Sequence, residues 1–309
     1  MRPNPSRRPP RALLRAALIL SAALQALPGL AAEAATGGPA GAVKAGQEEN
    51  AEIIWQGPAK EDDRKGQIEV VQNFTSRGLD AIVIAPLDET ALARPVEAAA
   101  KRGIKVVVID SDLKSKAFAS FVATDNYAAG RLAARHMAET LQLLAITRAA
   151  TPPTGKIAKA PEPTGKVMVM RYLEGSASNS FRENGFLDGL KEYAPKAEVN
   201  GIFTPNAPTT FGMLRALQSA GRAGKVKLIG FDATAPLLAA LKAGEIQGLV
   251  VQDPFRMGYL GVRTALAAKR GEKVEARIDT GARLVTAANL AEPAIAELVS
   301  PDLKKWLKE

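Results

Sequence analysis

The chain has no cysteine, a single histidine and only 5% aromatic residues, and each scarcity closes off a class of chemistry. Without cysteine there is no disulfide, no thiolate nucleophile, no cysteine-based metal site and no cysteine-borne lipid anchor. A chain exported without disulfides must be held by its core, which 309 residues can supply. The lone His136 lies in the helical pattern "AAGRLAARHMAETLQLL" and is expected on the helix surface. A Ser-His-Asp triad would have to use this badly placed residue. G-x-S-x-G and G-x-x-x-x-G-K-[ST] are both absent, and no G-x-G-x-x-G follows a strand pattern. Few aromatics and thinly spread Lys and Arg remove the signs of a nucleic-acid binder, so no nucleic-acid partner is expected.

What is present begins with "MRPNPSRRPPRALLRAALILSAALQALPGLAAEAA". Five arginines by Arg15 precede an apolar run from Ala16 to Leu27 and then small residues around Ala31 to Ala35. That is the layout of a secretory signal, with Ala32-Glu33-Ala34 as a cleavage option. The run is shorter than the roughly 20 residues a spanning helix needs. Residues 1–34 are therefore expected to be a cleaved signal that sends the protein to the periplasm. Their removal lowers the net charge from +9 to +5, with 36 basic against 31 acidic residues left.

From Asp80 onward, short β-rich runs alternate with amphipathic helical patterns. The runs are "AIVIAP", "IKVVVID", "FVATD", "KVMVMRY", "GIFTPN", "KLIGFD" and "GLVVQD". Apolar strands separated by helices predict α/β architecture, doubly wound, with parallel sheets covered on both faces. Gly78, Gly103, Gly221 and Gly244 stand where helices should stop. Residues 145–165 break the rhythm with four prolines and a near-duplication, and are expected to form a flexible surface insertion.

Each run finishes in small and polar residues, and in open α/β sheets ligands bind at the carboxyl ends of strands. One rim therefore carries Asp110, Asp125, Asn126, Arg182, Asn206, Asp232 and Gln252. Asp, Asn, Arg and Gln make planar, often bidentate hydrogen bonds that suit a polyhydroxyl ligand. Asp110 with Asp232 could in principle supply the carboxylate pair of a glycosidase, but neither sits in a motif that identifies one, and no enzyme is expected. Asp88 and Asp125 read equally as helix caps. Asp232 could cap as well, and Arg182 could pair with Glu183 or Asp188.

Together "VVQNFTSRGLDAIVIAPLDETALARPVEAAAKRGIKVVVIDSD", "FVATDNYAAGRLAA", "GSASNSFRENGFLDGL", "GIFTPNAPTTFGMLRALQSAGRAGKVKLIGFDAT" and "LVVQDPFRMGYLGV" resemble the ribose-type periplasmic sugar-binding proteins, the substrate-binding subunits of ABC importers. The resemblance spans most of residues 52 to 290. It implies a type I periplasmic-binding-protein-like fold, two lobes joined by a three-crossing hinge, closing on a monosaccharide as a monomer without a cofactor. Position by position it implies sugar contacts at Asp110, Arg182, Asn206, Asp232 and Gln252. It places the crossings near Thr124-Asp125, Gln252-Asp253 and Leu284-Val285. The lobes would then be 35–124 with 253–284, and 125–252 with 285–309. The implied partner is an ABC permease in the membrane. A ligand-presenting subunit of a chemoreceptor or sensor is the alternative role, and a degenerate copy with impaired binding is another.

The pattern departs from the family twice. The helix "AGAVKAGQEEN" precedes the strand "EIIWQ" with no strand before it, so the first strand of lobe 1 and its sugar-contacting loop are expected to be missing. A strand-helix unit is also expected to be absent between Tyr193 and "GIFTPN", because the few residues from Pro195 to Asn200 cannot hold one.

Overall fold

The computed structural model describes residues 14–19, 32–58, 62–141, 167–193 and 201–307. Its apolar runs form strands that carry hydrophobic side chains on both faces, because helices cover both sides of each sheet. Strands β1 (Leu14–Ile19), β2 (Ala51–Gln56), β3 (Ala81–Ile84), β4 (Lys105–Ile109), β5 (Ser120–Ala123) and β10 (Arg277–Asp279) form one sheet in the order β10-β5-β4-β3-β1-β2, with every pairing parallel. Strands β6 (Val167–Val169), β7 (Gly201–Phe203), β8 (Lys227–Phe231), β9 (Gly248–Gln252) and β11 (Ala282–Val285) form the other in the order β11-β9-β8-β7-β6. Only β11 in that sheet runs antiparallel to its neighbour.

Side-chain alternation along the strands divides each core in two. In lobe 1, Ile82, Ile84, Val106 and Val108 pack against α2 (Arg64–Ser76) and α3 (Ala93–Lys101) through Val70, Val71, Phe74 and Val96. Ala81, Val83, Val107 and Ile109 face α1 (Ala32–Glu49) and α8 (Pro254–Lys269) through Ala42, Ala45, Val262 and Ala265. In lobe 2, Leu228, Leu249 and Val251 meet α6 (Ala207–Ser219) and α7 (Ala235–Lys242), and Ile295 of α9 (Pro293–Val299) joins them. Ile229, Phe231 and Val250 meet α4 (Asn126–Thr140) and α5 (Ala177–Tyr193), with Phe186 and Phe203 stacked 4.2 Å apart.

The same close crossing fixes the paired helices of both lobes. A Cβ on Gly130 of α4 would run into the Arg182 carbonyl of α5, and one on Gly185 would run into the Tyr127 carbonyl. Gly41 of α1 and Gly258 of α8 stand in the same relation to the Phe255 and Gly38 carbonyls. Backbone cannot yield as a side-chain tip can, so Gly130→Ala should separate α4 from α5 and destabilise lobe 2 by about 1–3 kcal/mol. A lowered urea midpoint with an unchanged slope is the expected reading.

Three expectations are corrected here. Lobe 1 has a strand where its first one was expected to be missing: Leu14–Ile19, within the segment expected to be a signal, is β1, between β2 and β3. A central parallel strand must be apolar on both faces, and the apolar core of an export signal meets that demand; Ala16 is fully buried among α1 and α8 residues. Helix α1 begins at Ala32 and so runs through the expected cleavage site. The third passage between the sheets lies at Thr280–Gly281, between β10 and β11, rather than at Leu284-Val285, because Ala282–Val285 already pairs with β9. His136 is tucked in rather than on the surface, its Nε2 3.1 Å from the Gln247 carbonyl and its ring against Gly248.

The other passages lie at Thr124–Asp125, before α4, and at Asp253, before α8. Two of the passages are tied together, since Thr124 Oγ1 donates to the Gly281 carbonyl at 2.9 Å and Asp125 N to Asp279 Oδ1 at 3.1 Å. At the far end of the second sheet β6 is the edge, and among the described residues no strand pairs its outer side. The sheet is short on the side where a strand-helix unit was expected to be absent. The proposed insertion at 145–165, the loop after β1 and residues 194–200 lie outside the described residues.

Candidate functional site

Two aspartates mark the facing strand ends. Asp110 follows β4 and Asp232 follows β8, and both take left-handed backbone conformations, at φ 62° and φ 64°. Aspartate is one of the few residues besides glycine that adopt that region, still at a cost of order 1–2 kcal/mol that the surrounding structure must offset. Backbone bonds do so: Asp110 N donates to the Val122 carbonyl at 3.2 Å and Asp232 N to the Val250 carbonyl at 2.9 Å. Such conformations concentrate at functional sites, and here they turn both carboxylates from the strands into the space between the lobes.

Arg182 lies between them. The close α4–α5 crossing holds it 3% exposed. Nε donates to Asn126 Oδ1 at 2.7 Å, Nη1 to the Pro205 carbonyl at 2.9 Å, and Nη2 stands 3.8 Å from Asp110 Oδ1. The guanidinium also lies 4.4 Å from the Phe231 ring centroid. The expected alternatives for Arg182 are otherwise engaged: Glu183 pairs with Arg171 at 3.2 Å and Asp188 with Lys191 at 3.0 Å.

Depth pushes the Asp110 carboxyl above the usual carboxylate range; Arg182 opposes the shift and the Asp232 charge adds to it. Asp232 is held from its own lobe, accepting from Gln252 Nε2 at 2.9 Å and from Ala207 N, at the start of α6, at 3.2 Å. It therefore caps a helix, though not the one that follows it. Asn206 is the N-cap of that same α6, its Oδ1 accepting from Thr209 N at 3.1 Å. Asp125 caps α4 by accepting from Ala128 N. Asp110, Arg182, Asp232 and Gln252, with Asn206 beside them, thus form one contiguous polar cluster. Gln252 Oε1 is buried in it with no partner.

Sequence reasoning placed Asn126 on the rim without giving it a role. The structure makes it the joint of the cluster, because its Nδ2 also donates to the Asp110 carbonyl at 3.2 Å. A second set of contacts across the cleft was not anticipated. Asp88 Oδ2 is 3.2 Å from Arg64 Nε, Arg64 Nη2 donates to the Glu174 carbonyl in lobe 2, and Glu89 N donates to the Gly175 carbonyl at 2.9 Å. Gly175 has φ 92° and no room for a Cβ beside Asp88. "EGSAS" offered only its small residues as a sign of so close an approach. Among the described residues no cluster of acidic or histidine side chains could hold a metal ion. No described helix is long and apolar enough to cross a membrane.

A periplasmic binding protein domain matches residues 39–200 and 193–273. The chain belongs to that family. The D-ribose/D-allose-binding protein of Pseudomonas aeruginosa is 28% identical over 79% of this chain and 82% of its own length. The putative rhizopine-binding protein of Rhizobium meliloti is 29% identical over 72% and 76%. Among solved structures, a carbohydrate transporter solute-binding protein from Agrobacterium radiobacter in complex with D-arabinose superposes with a TM-score of 0.78. It is 34% identical and covers 94% of this chain and 100% of its own. An ABC transporter solute-binding protein from Agrobacterium vitis with bound D-fucose gives 0.78 at 32% identity, over 93% and 100%. These are proteins of binding and transport, and the type I periplasmic-binding fold is common to them and to this chain.

Proposed function

We propose that this periplasmic binding protein holds a monosaccharide or related polyol between its lobes and delivers it, as a monomer and without catalysis, to an ABC permease. The observation that carries this reading is Gln252. Its amide nitrogen is fixed by Asp232 while its Oε1 lies buried without a donor, in a cluster that already holds two carboxylates. A buried acceptor left unpaired costs about 1–3 kcal/mol. Closing the lobes on an empty cleft therefore carries a penalty, and a ligand that presents hydroxyl donors removes it. Arg182 supports the same ligand class by holding Asp110 in place, so that the carboxylate can accept from neighbouring hydroxyls.

Closure is then a population shift, since a ligand contacting both lobes binds the closed form better than the open one. Asp110 comes from lobe 1, while Arg182, Asn206, Asp232 and Gln252 come from lobe 2. The Arg64–Asp88 pair and the Glu89–Gly175 bond secure the closed edge. Residence in the periplasm requires export, and the N-terminal segment must then stay with the chain for lobe 1 to keep β1.

A thermal-shift screen against pentoses, hexoses and polyols tests the reading. A ligand at about a hundred times its Kd adds about 2.7 kcal/mol, which should raise Tm by roughly 4 °C in a protein of 309 residues. A well-folded chain shifted by none of them would overturn it. Recovery of a permease from solubilised membranes on the ligand-loaded protein tests the delivery step, and recovery of a sensor instead would reassign it.

A further inference from the structure

Asn179 stands outside the cluster described above, yet it carries the same unfinished bonding as Gln252. It lies in the first turn of α5, three residues before Arg182 and hence on the same face of that helix. It is 6% exposed. Its Nδ2 donates to Ser176 Oγ at 2.7 Å, which fixes the carboxamide, and its Oδ1 is buried with no partner. The residues around it touch the opposite lobe. Ser178 N donates to Ser111 Oγ at 3.2 Å, next to Asp110, and the Gly175 carbonyl accepts from Glu89 N at 2.9 Å. The orphaned oxygen is therefore enclosed where the lobes meet, one helical turn from Arg182.

We propose that Asn179 is a further ligand contact, its carboxamide oxygen accepting from a ligand hydroxyl and thereby selecting among polyols by hydroxyl pattern. This rests on the reading of the cleft as a polyol site. Two unpartnered acceptors, Asn179 Oδ1 and Gln252 Oε1, then meet the ligand from different elements of lobe 2. Arg182 Nε and Nη1 are already bonded within the protein, and Nη2 stands 3.8 Å from Asp110 Oδ1. The cleft asks its ligand for donors, and a polyol lacking the hydroxyl at Asn179 leaves one acceptor unmet.

Isothermal titration tests this with the best sugar from the screen and with its monodeoxy analogues, on the wild type, Asn179→Leu and Asn179→Asp. Asn179→Leu should weaken the parent sugar about 10- to 100-fold, and Asn179→Asp, which keeps an acceptor oxygen, should retain most of the affinity. Toward one deoxy analogue the Leu variant should bind as well as the wild type, a result that a purely structural role for Asn179 does not produce. The urea midpoint of Asn179→Leu should change little, because loss of the Nδ2 bond to Ser176 Oγ is offset by removal of the orphaned Oδ1. Equal affinity of wild type and Asn179→Leu for the parent sugar, or one uniform loss across parent and all analogues, would overturn the proposal. A folded wild type that binds no polyol at all would instead overturn the reading of the cleft, and this assignment with it.

Discussion

A chain that starts at Ala35 is expected to lose the fold of lobe 1 while keeping that of lobe 2. Strand β1 pairs with β2 from Leu14↔Ala51 to Ile19↔Gln56, and with β3 from Ala16↔Ala81 to Ile19↔Ile84. Its removal strips one whole edge from β3, whose residues Ala81 to Ile84 are all fully buried. Each buried peptide group left unpaired costs about 1–3 kcal/mol, and a handful exceed the roughly 5–15 kcal/mol by which a typical protein is stable. Strand β2 could relieve this only by sliding across to β3, which would pull α1 and α2 out of the positions their apolar faces now occupy. Hydrogen exchange on residues 35–309 should show β3 and β4 without protection, while β8 and β9 exchange as in the full chain. Protected β3 amides and an unchanged urea midpoint would show instead that lobe 1 closes without β1. The outcome bears directly on export, because cleavage after Ala34 would create this chain in the cell.

That β1 was not legible in the sequence has a physical cause. A strand buried on both faces and the apolar core of an export signal answer to the same requirement, a short uninterrupted apolar run. "AALI", Ala16 to Ile19 of β1, satisfies both, and only pairing partners far along the chain, at 51–56 and 81–84, distinguish them. Strands β10 and β11 escaped for the opposite reason. Arg277–Asp279 and Ala282–Val285 lie at sheet edges with charged residues interleaved, so neither reads as an apolar run, and the third passage was expected four residues late. The strands "AIVIAP", "KVVVI", "KLIGF" and "GLVVQ" were legible because two-sided burial left no polar position in their cores. The polar rim followed from them, since an α/β strand delivers its next residues to the ligand side. What the sequence could not disclose was how those residues divide their bonds. Asp232 capping α6 from another strand, and Asn126 joining Arg182 to the Asp110 backbone, are contacts between distant segments with no local signature.

Replacing Arg182 by Met should abolish ligand binding and destabilise lobe 2 as well, because the two effects share a cause. Methionine fills much of the same volume but returns none of the bonds to Asn126 Oδ1 and the Pro205 carbonyl, nor the charge beside Asp110. Each hydrogen bond lost from the charged guanidinium is worth about 1.5–3 kcal/mol, and the Asp110 carboxylate left behind, its side chain still 40% exposed, is only partly desolvated. Ligand affinity should fall by about 100-fold or more, because Asp110 and Asn126 lose the partner that positions them. The stability defect carries a distinctive pH dependence. Burial already holds the Asp110 carboxyl above its ordinary range, and removing Arg182 takes away the influence that opposes the rise. The native state of the variant then binds more protons than the unfolded state between the ordinary Asp pKa and the raised one. Its stability should fall as pH rises through that window and recover as pH is lowered, whereas its ligand affinity should recover at neither end. Asp110→Asn placed on Arg182→Met should restore much of the stability by removing the uncompensated carboxylate. It should restore none of the binding, a non-additivity that a double-mutant cycle measures. An Arg182→Met protein with wild-type affinity would mean that the guanidinium only braces α5 against α4, and that Asp232 and Gln252 hold the ligand without it.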